Sequence, residues 1–223
     1  MSPEQSLANL RVSYDSGELL EGHLAADPLA MFTKWFQEAS DAALPEPNAM
    51  VLATAATSGQ PSARTVLLKQ ADSRGFVFFT NLRSRKSSEL SQNPQVCAVF
   101  PWFAMHRQVV VTGRVELVAR SEVAEYFGSR PRSSQLGAWA SAQSSVVDSR
   151  AVLDERYEEV SAQFGDGEIP PPEFWGGWLI RAHTVEFWQG RTSRLHDRLR
   201  YRALADGVRL NDRHSWATER LSP

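Results

Sequence analysis

Five cationic residues stand at alternate positions near the C-terminus: Arg194, His196, Arg198, Arg200 and Arg202, within WQGRTSRLHDRLRYR (188–202). On a β-strand, successive side chains alternate faces, so all five would share one face and Leu195, Asp197, Leu199 and Tyr201 the other. On a helix, Arg191, Arg194, Arg198 and Arg202 would still share a side at spacings of three and four. Either geometry concentrates charge that an anion relieves. The competing reading is a solvated sheet edge blunted by cations.

Three further clusters have the same character. In RTVLLK (64–69) two cations bracket an apolar run, and in a regular strand their odd separation puts them on opposite faces, so they serve two anions unless the strand bulges. Ser84-Arg85-Lys86 opens an expected helix, where free N–H groups and the helix dipole favour an anion, an exposed basic turn being the alternative. YFGSRPRSSQLGAWASAQSS (126–145) offers Tyr126, Arg130, Arg132, Ser133, Ser134, Gln143, Ser144 and Ser145. Guanidinium forks with hydroxyls suit a phosphate monoester; a capped, solvent-facing helix pair is the bland reading. Other machinery is absent: no GxxxxGK[ST] loop, no GxGxxG after a strand, no GxSxG elbow, and five histidines without metal-ligand spacing.

The elements that must position these clusters follow from periodicity. Asp27-Pro28 reads as a helix start, with Leu29, Phe32, Trp35, Phe36 and Ala39 as one stripe. From Ala49 the period changes: AMVLATAA, SARTVLLKQ and GFVFFTN are strand-like runs separated by turn compositions. SRKSSELSQNP reads as a short helix capped by Ser84, followed by strands QVCAVFPWF and RQVVVTGRVELVA. A helical stretch begins near Ser121 and runs through EVAEYFGSRPR. A clearer helix, DSRAVLDERYEEVSAQF, is terminated by Gly165. Strands WLIRAHTVEFW, the 188–202 segment and WATERL complete the chain. Hairpin strands with inserted helices predict a mainly β, α+β architecture, an antiparallel barrel with peripheral helices. Residues 1–26 read as a mobile arm and 27–223 as a single domain.

The 223 residues carry a net charge of −2 and are 42% hydrophobic, enough for a real core and too balanced for a general nucleic-acid binder. The one cysteine, Cys97, lies in an apolar run and reads as a buried structural thiol in a cytoplasmic protein. No stretch approaches the roughly 20 apolar residues of a membrane span. Seven Trp and eleven Phe cluster in PWF, FWGGW and EFW, most simply as core or interface, alternatively around a ring-shaped ligand.

Read in order, RTVLLK, FFTNLRSRK, RQVVVTG, YFGSRPRSSQLGAWASAQSS, FWGGW, VEFWQGRTSRLHDR and WATERLSP resemble the pyridoxine (pyridoxamine) 5′-phosphate oxidases over about Asp27 to Pro223. The resemblance implies a Greek-key split barrel that binds FMN, a homodimer with two flavin sites at the subunit interface, and O₂ as acceptor in oxidising pyridoxine or pyridoxamine 5′-phosphate to pyridoxal 5′-phosphate. FMN would contact Arg64, Thr65, Val66, Leu67, Leu68, Lys69, Phe79, Thr80, Arg85, Lys86, Gln108, Gln143, Ser144, Trp188 and Arg198. The substrate phosphate would be gripped by Lys69, Tyr126, Arg130 and Ser134, with Arg194 and His196 as the catalytic pair holding the pyridine ring, and Arg11 and Tyr14 covering it. On this mapping Arg64 faces flavin and Lys69 substrate. Phe79 stands where many members have Tyr, and Val12 and Ser13 depart from the more polar arm of some members. The competing readings are a flavin oxidase of phenazine biosynthesis and a non-catalytic carrier of flavin or pyridoxal phosphate.

Overall fold

A computed structural model of the chain describes Leu10, Tyr14 and residues 17–223. Helix α1 (Pro28–Asp41) starts as its residue types predict. The Asp27 carboxylate accepts the Ala30 N–H at 2.8 Å, and Pro28 sits where its missing N–H would have had no helical partner. Met31, Phe32, Trp35 and Ala39 form its buried stripe.

Among the described residues nine strands form one antiparallel sheet: β1 (Ala49–Ala55), β2 (Pro61–Leu67), β3 (Gln70–Asp72), β4 (Gly75–Asn81), β5 (Gln95–Trp102), β6 (Arg107–Leu117), β7 (Trp175–Gln189), β8 (Asp197–Ala203) and β9 (Trp216–Arg220). The order is β2-β1-β5-β6-β7-β4-β3, with β8 on β7 and β9 on β8. β7 is long enough to hold two partners along one side. Its first half pairs β4, from Asn81↔Trp175 to Phe76↔Ile180, and its second half pairs β8, from Thr184↔Arg202 to Gln189↔Asp197.

The end strands β2 and β3 are consecutive in the chain, joined only by Leu68 and Lys69. Seven strands laid flat would separate them by about 29 Å at strand spacing, whereas this link spans about 11 Å. The sheet must therefore curl until its ends meet, giving a half-barrel whose seam is Leu68–Lys69. Its concave side is filled by aromatic rings around α1: Phe32 meets Phe76 at 4.9 Å and Phe100 at 5.1 Å, and Trp35 meets Phe187 at 5.1 Å. Most of the aromatic excess is thus core.

Helices α2 (Arg85–Gln92), α3 (Arg120–Gly128), α4 (Arg132–Ala140) and α5 (Arg150–Phe164) decorate this sheet. A second core under α3 to α5 joins Val123, Phe127, Leu136 and Ile169 to Trp175.

Several expectations are corrected. The helix expected to run from Ser121 through RPR is two helices, because Pro131 disfavours helical geometry at Arg130 and lacks the N–H to continue. The strand expected through 188–202 exists only from Asp197. Ser193 and Arg194 have φ of 56° and 60°, a left-handed pair that breaks extension, so Arg194 and His196 lie in a turn. Ser84 precedes α2 without a side-chain cap; its Oγ accepts from Lys86 Nζ at 3.4 Å. Cys97 is half-buried, on the convex face of the sheet. The packed body begins before Asp27: Leu19 is buried, its N–H donates to Asp197 at 3.1 Å, and Tyr201 donates to Ala25 O at 2.7 Å.

Candidate active site

Where the sheet ends meet, a cavity of about 750 Å³ opens between β2, β4, the start of α2, and α3 and α4. It is lined by Arg64, Thr65, Val66, Leu67, Lys69, Phe79, Thr80, Lys86, Tyr126, Arg130, Ser134 and Gln143. Three motifs distant in sequence therefore converge. The parity argument for Arg64 and Lys69 does not apply, since β2 ends at Leu67 and both residues line the same cavity.

One end of the cavity is a buried cation group. Lys86 is only 7% exposed; its Nζ donates to Thr80 Oγ1 at 3.0 Å and Gln143 Oε1 at 3.1 Å, without a carboxylate partner among the described residues. Burial, reinforced by the charge of Arg64, lowers its pKa to about 8. Arg64 is pinned by donation to Leu52 O, Thr54 Oγ1 and Ser62 Oγ and by an ion pair to Glu89 at 3.3 Å. Burial would raise the Glu89 pKa, but hydrogen bonds from Ser62, Thr54 and Arg85 and the charge of Arg64 outweigh it and hold the group at about 2. A single carboxylate thus orders two arginines and leaves Lys86 for an anion.

The other end holds Arg130, whose Nη1 is buried without a hydrogen-bond partner. Its guanidinium carbon lies 4.9 Å from the centre of the Trp175 ring and 5.5 Å from that of Phe127. Burial pushes its pKa down. Lys69 Nζ lies 5.9 Å from the Tyr126 ring centre, and Tyr126 stacks on Phe79 at 4.2 Å and 15°. Gly177 lies opposite Phe79 across the β4–β7 ladder, and a Cβ there would come within 2.7 Å of the Phe79 ring and of Val118. That contact accounts for one glycine of FWGGW.

The remaining predicted residues form a second group at the far end of β7. Gln108 pairs with Trp188, and Trp188 with Arg198. The His196 ring lies 4.7 Å from that of Trp188 and 5.7 Å from that of Tyr14, while its Nδ1 accepts the Arg191 N–H at 3.1 Å. Arg194 is exposed in the turn. Trp188 lies eleven positions beyond Gly177 on the same strand, about 36 Å if fully extended. Within the single chain the two groups lie toward opposite ends of β7.

The row of five cations is neither one wall nor an open edge. Arg198 ion-pairs with Glu186 at 2.7 Å, Arg200 and Arg202 both pair with Glu219 of β9 at 2.5 and 2.6 Å, and β9 covers β8. Three other predicted residues do not line the cavity: Leu68 is buried in the core, Ser144 accepts the Arg85 N–H at 3.2 Å, and the Arg85 side chain turns to Glu89 at 2.9 Å. Arg11, Val12 and Ser13 lie outside the described residues. Sequence reasoning had not named Glu89, Glu186 or Trp175 as site residues, although the aromatic density of FWGGW had drawn notice to the last.

The chain is similar over most of its length to proteins of one family. Residues 36–164 match the family model described as pyridoxamine 5′-phosphate oxidase, and residues 175–223 match the pyridoxine 5′-phosphate oxidase C-terminal dimerisation region. A pyridoxine/pyridoxamine 5′-phosphate oxidase of Acidothermus cellulolyticus is 57% identical over 218 residues, covering 97% of this chain and 95% of that protein. One of Salinibacter ruber is 55% identical over 218 residues, covering 97% of this chain and 99% of that protein. Among solved structures, PhzG from Burkholderia lata in complex with tetrahydrophenazine-1-carboxylic acid superposes with a TM-score of 0.84 at 28% identity, covering 95% of this chain and 100% of that one. A pyridoxamine 5′-phosphate oxidase-related, FMN binding protein of Nostoc punctiforme shares the fold at a TM-score of 0.67 and 15% identity, over 90% of this chain and 100% of that one. The chain belongs to the pyridoxine/pyridoxamine 5′-phosphate oxidase family.

Proposed function

We propose that this protein is an FMN-dependent oxidase that converts pyridoxine 5′-phosphate and pyridoxamine 5′-phosphate to pyridoxal 5′-phosphate, working as a homodimer. The observation that carries the reading is a single cavity with two separate unmet demands for an anion: Lys86, buried among neutral acceptors, and Arg130, whose buried Nη1 has no partner. Buried charges are normally paired, so two phosphate-bearing ligands fit this site and one does not satisfy it.

The FMN phosphate fits the Lys86 end, where Arg64, Thr80 and Gln143 add donors and shape. The substrate phosphate fits Arg130, Lys69, Tyr126 and Ser134. The chemistry FMN supplies is acceptance of a hydride from the substrate C4′ carbon and delivery of the electrons to O₂, giving H₂O₂; from the amine, water completes the aldehyde and releases ammonia. Little acid–base apparatus is then asked of the protein, which must hold two rings face to face and fix the reacting carbon. Arg194 and His196 are proposed to orient the pyridine ring, with Trp188, Gln108 and Arg198 beside the flavin and Tyr14 over the substrate.

These last residues belong to the partner subunit's site in this reading, since the two groups lie at opposite ends of β7 in one protomer. Oxidation of a phosphate-free aromatic, the activity suited to a phenazine substrate, leaves Arg130 unpaired and is the weaker reading. The test is O₂ consumption by the purified protein, read beside its visible spectrum. A yellow protein that oxidises pyridoxine 5′-phosphate but not pyridoxine supports the proposal. Equal turnover of both substrates removes the phosphate grip, and failure to bind FMN removes the whole reading.

A further inference from the structure

We infer that Trp175 is a positioning residue for the anion site at Arg130, a platform that holds the Arg130 guanidinium ready for a phosphate. The inference rests on the function proposed above only in naming that phosphate as the substrate's. Arg130 makes no ion pair among the described residues, and no acceptor meets its buried Nη1. What it does touch is two rings set edge-to-face: Trp175 and Phe127, with centroids 4.9 Å apart at 73°. A guanidinium is planar and weakly hydrated, so an aromatic face can hold it while leaving its N–H edge free for a ligand.

The indole is itself fixed before any ligand arrives. The residue's backbone opens β7 opposite Asn81, its backbone N–H donates to Pro172 O at 3.0 Å, and its backbone carbonyl accepts from Arg120 Nη1 at 2.6 Å. Its ring lies within 5° of parallel to Phe79 at 5.5 Å and is 6% exposed. A carboxylate in its place would hold Arg130 more tightly but would compete with the phosphate for the same N–H groups. A ring holds the cation without occupying those donors.

The experiment compares Trp175→Leu and Trp175→Phe in the purified homodimer. The readouts are calorimetric titration with inorganic phosphate, KM and kcat for pyridoxine 5′-phosphate, and retained FMN. Trp175→Leu is expected to raise both the phosphate Kd and KM about tenfold, with kcat and FMN content nearly unchanged. The weaker quadrupole of phenyl predicts a smaller rise of about threefold for Trp175→Phe. Trp139→Leu serves as the control for general loosening, because that indole packs on Phe164 and Phe174 and not on Arg130. An unchanged phosphate Kd in the Leu variant overturns the inference, as does an equal rise in Trp139→Leu. Should the Leu variant not fold, the Phe variant decides, and wild-type constants there overturn it. Absence of oxidase activity in the wild type would defeat the proposed function instead, and the phosphate titration would still test Trp175.

Discussion

Lys86 has the most consequential ionisation in the cavity. Its pKa is about 8 in the fold against 10.5 for a free lysine, so between those values the unfolded chain binds the extra proton and stability rises with pH. Ligand binding runs the other way, because a phosphate needs the charged form. The expected outcome is an FMN Kd that is flat below pH 8 and then weakens, approaching about tenfold per pH unit. Lys86→Gln should bind FMN more weakly at pH 7 and lose that slope. The check is fluorescence titration of FMN across pH 6.5–9.5; a slope that persists in the variant assigns the titration to another group. Glu89, held at about 2, stays ionised throughout this range and contributes a constant field.

At the scale of elements, the site depends on where strands and helices stop. β2 ends at Leu67 and frees Lys69 to face the cavity; the break at Pro131 leaves Arg130 in the link between α3 and α4 and Ser134 in the first turn of α4; Gly177 lets β7 pass close to Phe79. Gly177→Ala tests the last of these. Its Cβ would meet the Phe79 ring and Val118 at 2.7 Å, and relief requires moving the ring that stacks on Tyr126. Overpacking of this kind costs about 1–3 kcal/mol. We expect a lowered melting temperature together with a raised KM for pyridoxine 5′-phosphate, measured by thermal denaturation and steady-state kinetics. A variant with wild-type values in both would show that the ladder absorbs the methyl without moving Phe79.

For the whole molecule, the proposed function has a consequence: with the two residue groups toward opposite ends of β7, each site would draw on both protomers of the dimer. If Lys69 and Arg194 meet only across the dimer, Lys69→Ala and Arg194→Ala homodimers are both nearly inactive, whereas a mixed dimer carries one intact site and one doubly altered site. Random reassociation makes half the dimers mixed, so about a quarter of wild-type activity should return on mixing. Denaturing, mixing and refolding the two variants, followed by the O₂ assay, checks this. No gain above the separate variants would place both residues in the same protomer's site.

Much of this was legible in the chain. Strand runs, the α1 start at Asp27-Pro28 and the Gly165 stop follow from local chemistry, because caps, turns and alternation act over a few residues. The collinear motifs pointed to the family that the comparisons show. Parity failed in 188–202, however, because Ser193 and Arg194 take left-handed backbone that nothing in their side chains demands. The carboxylates that answer the cations, Glu89, Glu186 and Glu219, lie 12 to 25 residues from Arg64, Arg198, Arg200 and Arg202 in the chain. They become neighbours only through strand register and packing. Local patterns in the chain set most of the elements and supplied the cationic clusters proposed to hold phosphate. Long-range packing is what curls the sheet into a seam at a two-residue link, opens the cavity there and rests Arg130 on Trp175, since these depend on contacts between segments that local patterns do not encode.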